Sequence, residues 1–162
     1  MSSSKKTVLA AFASVALLAA TPAWAGTTVD VSLWDQGSDA AMPTNLGYNM
    51  GGDMSTATMG IDLSQKTVQA GHITFVVTNS SKDAIHEMIL APINSATEKL
   101  PYVANENRVN EEKAGHLGEV SELDPGATGE LGYNVKPGKY LVYCNIPGHF
   151  VAGMWAVLTV TQ

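Results

Sequence analysis

A chain of 162 residues, 45% apolar and 15% charged, has the length and composition of one packed globular domain, which argues against a multi-domain enzyme and against a disordered or fibrous chain. Fifteen acids against nine bases give a formal charge of −6, so the chain carries no basic footprint for nucleic acid or an anionic membrane. A single cysteine, Cys144, excludes an internal disulfide, a four-thiolate zinc site and a two-cysteine dinuclear copper centre.

Lys5 and Lys6 precede a nearly unbroken apolar run over residues 7–20, and Ala23-Trp24-Ala25 places small residues at the −3 and −1 positions of a signal peptidase site. The run is shorter than the roughly 20 residues that span hydrocarbon, and Thr21-Pro22 ends it. Residues 1–25 are therefore predicted to be a cleaved export signal, the mature chain to be periplasmic, and membrane insertion to play no part. Its removal leaves seven bases against fifteen acids, a net charge of −8. A thiol exported to an oxidising compartment must be buried and inert or have something bound to it.

From Gly26 onward no stretch repeats with a helical period, while short β-branched and aromatic runs recur between Gly, Pro, Asn and Asp. The pattern predicts strands at 28–33, 60–64, 73–79, 86–91, 117–122, 129–135, 139–144 and 154–161, an all-β, single-domain sandwich of about eight strands. Asp124-Pro125-Gly126 and Lys136-Pro137-Gly138 mark turns, with Pro at the position whose φ it pre-sets. Residues 26–59 hold the first strand and a Met- and Gly-rich segment. Residues 60–162 hold the remaining strands, interrupted by a polar insertion at 93–116 in which 106–116 reads as a short helix or an irregular loop. Both irregular segments are expected to lie on the sandwich.

Four methionines, Met42, Met50, Met54 and Met59, fall within eighteen residues of the first irregular segment. One reading packs them as a flap over the sandwich; the other makes them a thioether cluster that binds or relays Cu(I), which prefers soft donors.

The chemistry concentrates in residues 140–160, a strand, a tight loop and another strand. Cys144 closes the first strand, His149 follows the Pro147-Gly148 turn, and Met154 follows Gly153 where the last strand begins. A thiolate, an imidazole and a thioether suit copper and disfavour magnesium, calcium or manganese. Zinc is the competing metal, but a thioether serves it poorly. A second imidazole is best supplied by His86, at the start of a strand. His72 and His116 read as exposed side chains. Glu87 alternates with His86 and Met88, so its carboxylate faces away from the metal, either solvated or paired with a loop, whereas Met88 packs inside.

At these residues the chain resembles the cupredoxins, the type 1 blue-copper proteins. Cys144-x4-His149-x4-Met154 is the ligand spacing of the auracyanin-like and rusticyanin-like members, Tyr143-Cys144-x-x-Pro147-Gly148-His149 is a common wording in the family, and Val68-x-Ala-Gly-x-Ile-Thr-Phe-x-Val-x-Asn79 matches the strand before the first histidine. The resemblance covers about residues 60–162. It implies a Greek-key sandwich and one copper per chain, with His86, Cys144 and His149 as equatorial ligands and Met154 as the weak axial one. Plastocyanin and azurin have Asn after the first histidine, where its side chain ties the ligand loops together; Glu87 stands there in this chain. The resemblance further implies a monomeric one-electron carrier and not an enzyme, with the His149 ring edge at the surface inside an apolar patch of Pro147, Phe150, Val151 and Ala152. Its partner would be a cytochrome or copper enzyme with a positive face. The alternative is a periplasmic protein of copper tolerance, buffering or delivery, exchanging the metal with a donor or acceptor protein.

Overall fold

Eleven strands form the computed structural model, which describes residues 26–162. These are β1 Thr27–Asp35, β2 Met59–Leu63, β3 Thr67–Gln69, β4 Gly71–Asn79, β5 His86–Ile93, β6 Tyr102–Val103, β7 Arg108–Val109, β8 Gly118–Leu123, β9 Thr128–Val135, β10 Gly138–Tyr143 and β11 Trp155–Thr161, with an α-helical turn, α1, at Glu111–Ala114 and a 3-10 turn at Met54–Thr56. All eight predicted strands are present with ends within two residues of those expected. β3, β6 and β7 are additional, each two or three residues long and too short to carry a period. The expected export signal lies outside the described residues. Among the described residues no helix is long and apolar enough to cross a membrane.

Two sheets face each other. One runs β2-β1-β4-β9 and the other β3-β11-β10-β5-β8, with β1 parallel to β4 and β3 parallel to β11 among otherwise antiparallel pairs. Val29, Val31 and Leu33 of β1 and Ile73, Phe75 and Val77 of β4 point inward to meet Tyr140 and Val142 of β10 and Leu158 and Val160 of β11, the period of two placing each set on one face. Cys144 and Met154 belong to this same core.

The five-stranded sheet is also buried on its outer face. Ile89, Ala91, Leu141 and Tyr143 are covered there by Leu100, Val109 and Ala114 of the polar insertion and by Phe150 and Val151. Each side chain of this size fully buried contributes about 1.5–3 kcal/mol, so the insertion is a structural cover over the two strands that bear the site. Its helical turn is capped by Asn110, whose side chain accepts the Lys113 N–H at 3.0 Å.

Candidate metal centre

β10 and β5 run antiparallel side by side, so β10 ends where β5 begins. That geometry alone brings Cys144, directly after β10, to His86, the first residue of β5. The remaining donors come from the loop between β10 and β11, folded by its own main chain. His149 N–H donates to Ile146 C=O at 3.0 Å, Ala152 N–H to Gly148 C=O at 3.1 Å, and Met154 N–H to His149 C=O at 3.1 Å. Cys144 N–H then closes on Met154 C=O at 3.1 Å. Gly148 and Gly153 hold φ of 87° and 107°, a region that strains any residue with a Cβ, which is why glycine brackets His149 on this loop.

The outcome is a cluster of three donors, His86, Cys144 and His149, whose ligand atoms all lie within 4.8 Å of one another. His149 Nδ1 is 3.5 Å from Cys144 Sγ and 3.2 Å from His86 Nδ1. An ion bonded at about 2.0 Å to nitrogen and about 2.3 Å to sulfur holds its donors roughly 3.2–3.7 Å apart, so His149 Nδ1 already stands at that spacing from both of the other donors. Cys144 and His86 are 0% exposed and His149 8%. Met154, also 0% exposed, is tied by main-chain bonds to both Cys144 and His149 and shares the core around Cys144.

Burial sets the protonation of this cluster. It pushes the Cys144 thiol up to about 12, although the N–H groups of Glu87 and Ile146 aim at the sulfur. Burial and then the neighbouring His86 push His149 down to about 4, and burial lowers His86 against the pull of Asp35. At neutral pH the metal-free cluster is a thiol between two neutral imidazoles, and a thiolate in its place needs a cation beside it.

Two residues that the sequence pattern did not single out complete the site. Asp35, at the end of β1, accepts a hydrogen bond from His86 Nε2 at 2.7 Å. Burial opposes its ionisation, but Ser81, His86 and the Gly37 N–H outweigh that and hold its carboxyl below the usual range. Asn145, 1% exposed, receives the Val109 N–H at 2.7 Å and donates to Val109 C=O at 2.9 Å and Glu111 Oε1 at 2.7 Å, fastening the insertion to the residue after Cys144. Glu87 takes the loop-pairing role and not the solvated one: it is 8% exposed, and its Oε1 accepts the Asn145 N–H at 3.0 Å. Burial pushes its carboxyl up to about 6.

The apolar patch expected around His149 is absent among the described residues. Pro147 is exposed, but Phe150, Val151 and Ala152 are buried. The Met-rich segment covers them, with Leu46 N–H on Val151 C=O at 2.7 Å, Trp155 Nε1 on Leu46 C=O at 2.6 Å, and Tyr48 edge-on to Trp155. The second copper site expected of that segment finds no support either, because its methionines fill four different positions. Met59 sits in the core on β2, and Met50 meets Gly47 and packs in the outer cluster with Phe150. The Met42 methyl lies over Gly148 and the Met54 methyl over Gly153, on either side of the ligand loop. A cavity of about 220 Å³ beside His149 is walled by Asp35, Ser38, Met42, Thr58 and Met59. His72 and His116 are exposed, as expected, and Met88 is buried in the core.

A family model described as the sulfocyanin (SoxE) domain matches residues 67–162, more than half of the chain. A comparison with curated proteins finds no match. Among solved structures, dithionite-reduced auracyanin from the photosynthetic bacterium Roseiflexus castenholzii is 22% identical with a TM-score of 0.53, over 85% of this chain and 99% of that one. Auracyanin A, a "blue" copper protein from Chloroflexus aurantiacus, is 20% identical with a TM-score of 0.53, over 85% and 100%. Rusticyanin from Thiobacillus ferrooxidans is 16% identical with a TM-score of 0.52, over 85% and 79%. At these identities the likeness is one of fold, and the sandwich implied by the sequence resemblance is the one observed.

Proposed function

The chain belongs to the sulfocyanin (SoxE) family of cupredoxins, and from that premise we propose that it is an exported, periplasmic blue-copper protein carrying one electron at a time between redox partners. The observation that carries this reading is the meeting of one thiol and two imidazoles, nearly sealed from water, at metal-binding distances. Bound copper supplies the one-electron chemistry. His86, Cys144 and His149 would hold it, with the Met154 thioether as a further soft donor. The chain's own task is constancy: the hydrogen-bonded loop and the two-sided burial of β5 and β10 keep the donors in place whichever oxidation state they face.

Burial of the ligands supports the carrier reading over copper delivery, since a donor protein must expose its ligands to an acceptor and these are closed in. The acidic mature chain favours a partner with a positive face, such as a cytochrome or a copper enzyme. His149, beside its cavity, is the ligand nearest solvent and the proposed exit for the electron. Copper-loaded mature protein is expected to show a strong thiolate-to-copper absorption band with narrow hyperfine splitting, and to keep its copper through repeated redox cycles in the presence of a Cu(I) chelator. Loss of copper to the chelator within a few cycles would move the function to delivery.

The protonation states predict the pH dependence of metal uptake. Cys144 is raised, so at neutral pH its proton must leave when the thiolate binds; His149 is lowered to about 4, so it brings no proton to expel. One proton is therefore released per ion at neutral pH, and affinity rises tenfold per pH unit. Toward about pH 4 protonation of His149 competes as well and the slope steepens, His86 adding its own proton in acid. Titration calorimetry in buffers of different ionisation enthalpy counts the protons; a count of zero or two at pH 7 would contradict this assignment.

A further inference from the structure

We propose that Asp35 is the positioning residue of the centre: it fixes the His86 ring with Nδ1 toward the metal and biases the site toward Cu(II) over Cu(I). The proposal rests on the copper reading above and concerns a residue outside the 67–162 segment that the family model matches.

The bond from His86 Nε2 to Asp35 Oδ2 is 2.7 Å, between side chains 0% and 4% exposed. A carboxylate only accepts hydrogen bonds, so Nε2 must carry the imidazole proton and Nδ1 must present its lone pair. Nδ1 is the nitrogen that faces His149 Nδ1 at 3.2 Å. The opposite tautomer would set a nitrogen lone pair against a carboxylate at 2.7 Å with water excluded, which is repulsive.

Asp35 is itself held. Its Oδ1 accepts the Gly37 N–H at 2.7 Å, and the chain beyond it is anchored by Gln36 N–H on Thr58 C=O at 2.9 Å. β1 is tied to the turn before β5 by Ser80 N–H on Leu33 C=O at 2.8 Å. The carboxylate therefore stands at a fixed point on the far side of the ring. A negative charge there makes Nδ1 a stronger donor and favours the more highly charged ion. A purely structural tie between β1 and β5 would not discriminate between oxidation states, and that difference makes the proposal testable.

Nitrogen-15 NMR of the metal-free wild-type protein should show His86 as the Nε2–H tautomer. Asp35→Asn keeps an acceptor oxygen and removes the charge, so the tautomer should persist while Cu(II) affinity falls about tenfold relative to Cu(I) affinity, equivalent to a rise in potential of about 59 mV. Asp35→Leu removes the acceptor as well, mixing the tautomers and lowering affinity about 10–100-fold. An Nδ1–H tautomer in the wild type, or an Asp35→Asn affinity ratio within twofold of the wild type, would overturn the proposal. Should Asp35→Leu fail to fold, the wild-type spectrum and the near-isosteric Asn variant still decide. If the wild type binds no copper, the copper reading falls, while the tautomer independently decides the positioning of His86.

Discussion

Replacing Cys144 by Ser is expected to abolish the thiolate-to-copper band and to lower copper affinity at neutral pH by more than about 100-fold, with the metal-free fold within about 1 kcal/mol of the wild type. The first effect is large because Cys144 is the only thiol in the chain and the one member of the trio that becomes anionic on binding. Loss of a mere outer partner of a metal ligand costs about 10–100-fold, so loss of a direct anionic donor lies beyond that range. A serine hydroxyl does not ionise here, and its oxygen is a harder donor than sulfur. The second effect is small because serine nearly matches cysteine in volume and its hydroxyl meets the Glu87 and Ile146 N–H groups aimed at that position, so no buried polar group is orphaned. Absorption spectra, a competition titration and a thermal melt of the metal-free protein check the three statements. A variant that kept the band would remove Cys144 from the site.

The parts of this site that were legible in the sequence are those encoded by short spacing. Strands β1, β4 and β11 bury alternate residues, and a period of two is readable without a partner; β5 and β10, covered on both faces, read instead as short continuous apolar runs. Cys144 and His149 lie on one loop with Met154 at its end, so the meeting of the first two follows from the turn at Pro147-Gly148 and the return of the chain to β11. Asp35 was not legible: 51 positions separate it from His86, and an aspartate at a strand end reads as an ordinary turn residue. Asn145 stands inside the ligand loop, but its partner Val109 is in an insertion with no period to place it. The misreading of Phe150, Val151 and Ala152 as an exposed patch has the same origin. Whether a loop residue is exposed depends on what packs over it, and the segment that does so is aperiodic until Met59. Its methionines looked like soft ligands because composition carries no address; the fold spends them on Gly148, Gly153, Phe150 and the core.

Asn145→Ala is expected to be the most destabilising single change at the site that removes no metal ligand, by about 3 kcal/mol in the metal-free protein. Three side-chain hydrogen bonds disappear, to Val109 N–H, Val109 C=O and Glu111 Oε1. Glu111 is half-exposed and can turn to water, whereas Val109 is 3% exposed and both of its main-chain groups lose their partner. Each group left unpaired costs about 1–3 kcal/mol, more than the net worth of the bonds themselves. In a domain of this size the melting temperature falls by roughly 10 °C. The loss is local before it is global, since Val109 and Ala114 hold the cover over Ile89, Leu141 and Tyr143. Copper that binds both folded chains with equal affinity stabilises both by the same amount. Calorimetric melts of metal-free and copper-loaded protein should therefore show a similar deficit in the two pairs. A metal-free variant melting within about 2 °C of the wild type would mean that apolar contact alone, through Leu100, Val109 and Ala114, fastens the insertion to the sheet that carries Cys144 and His86.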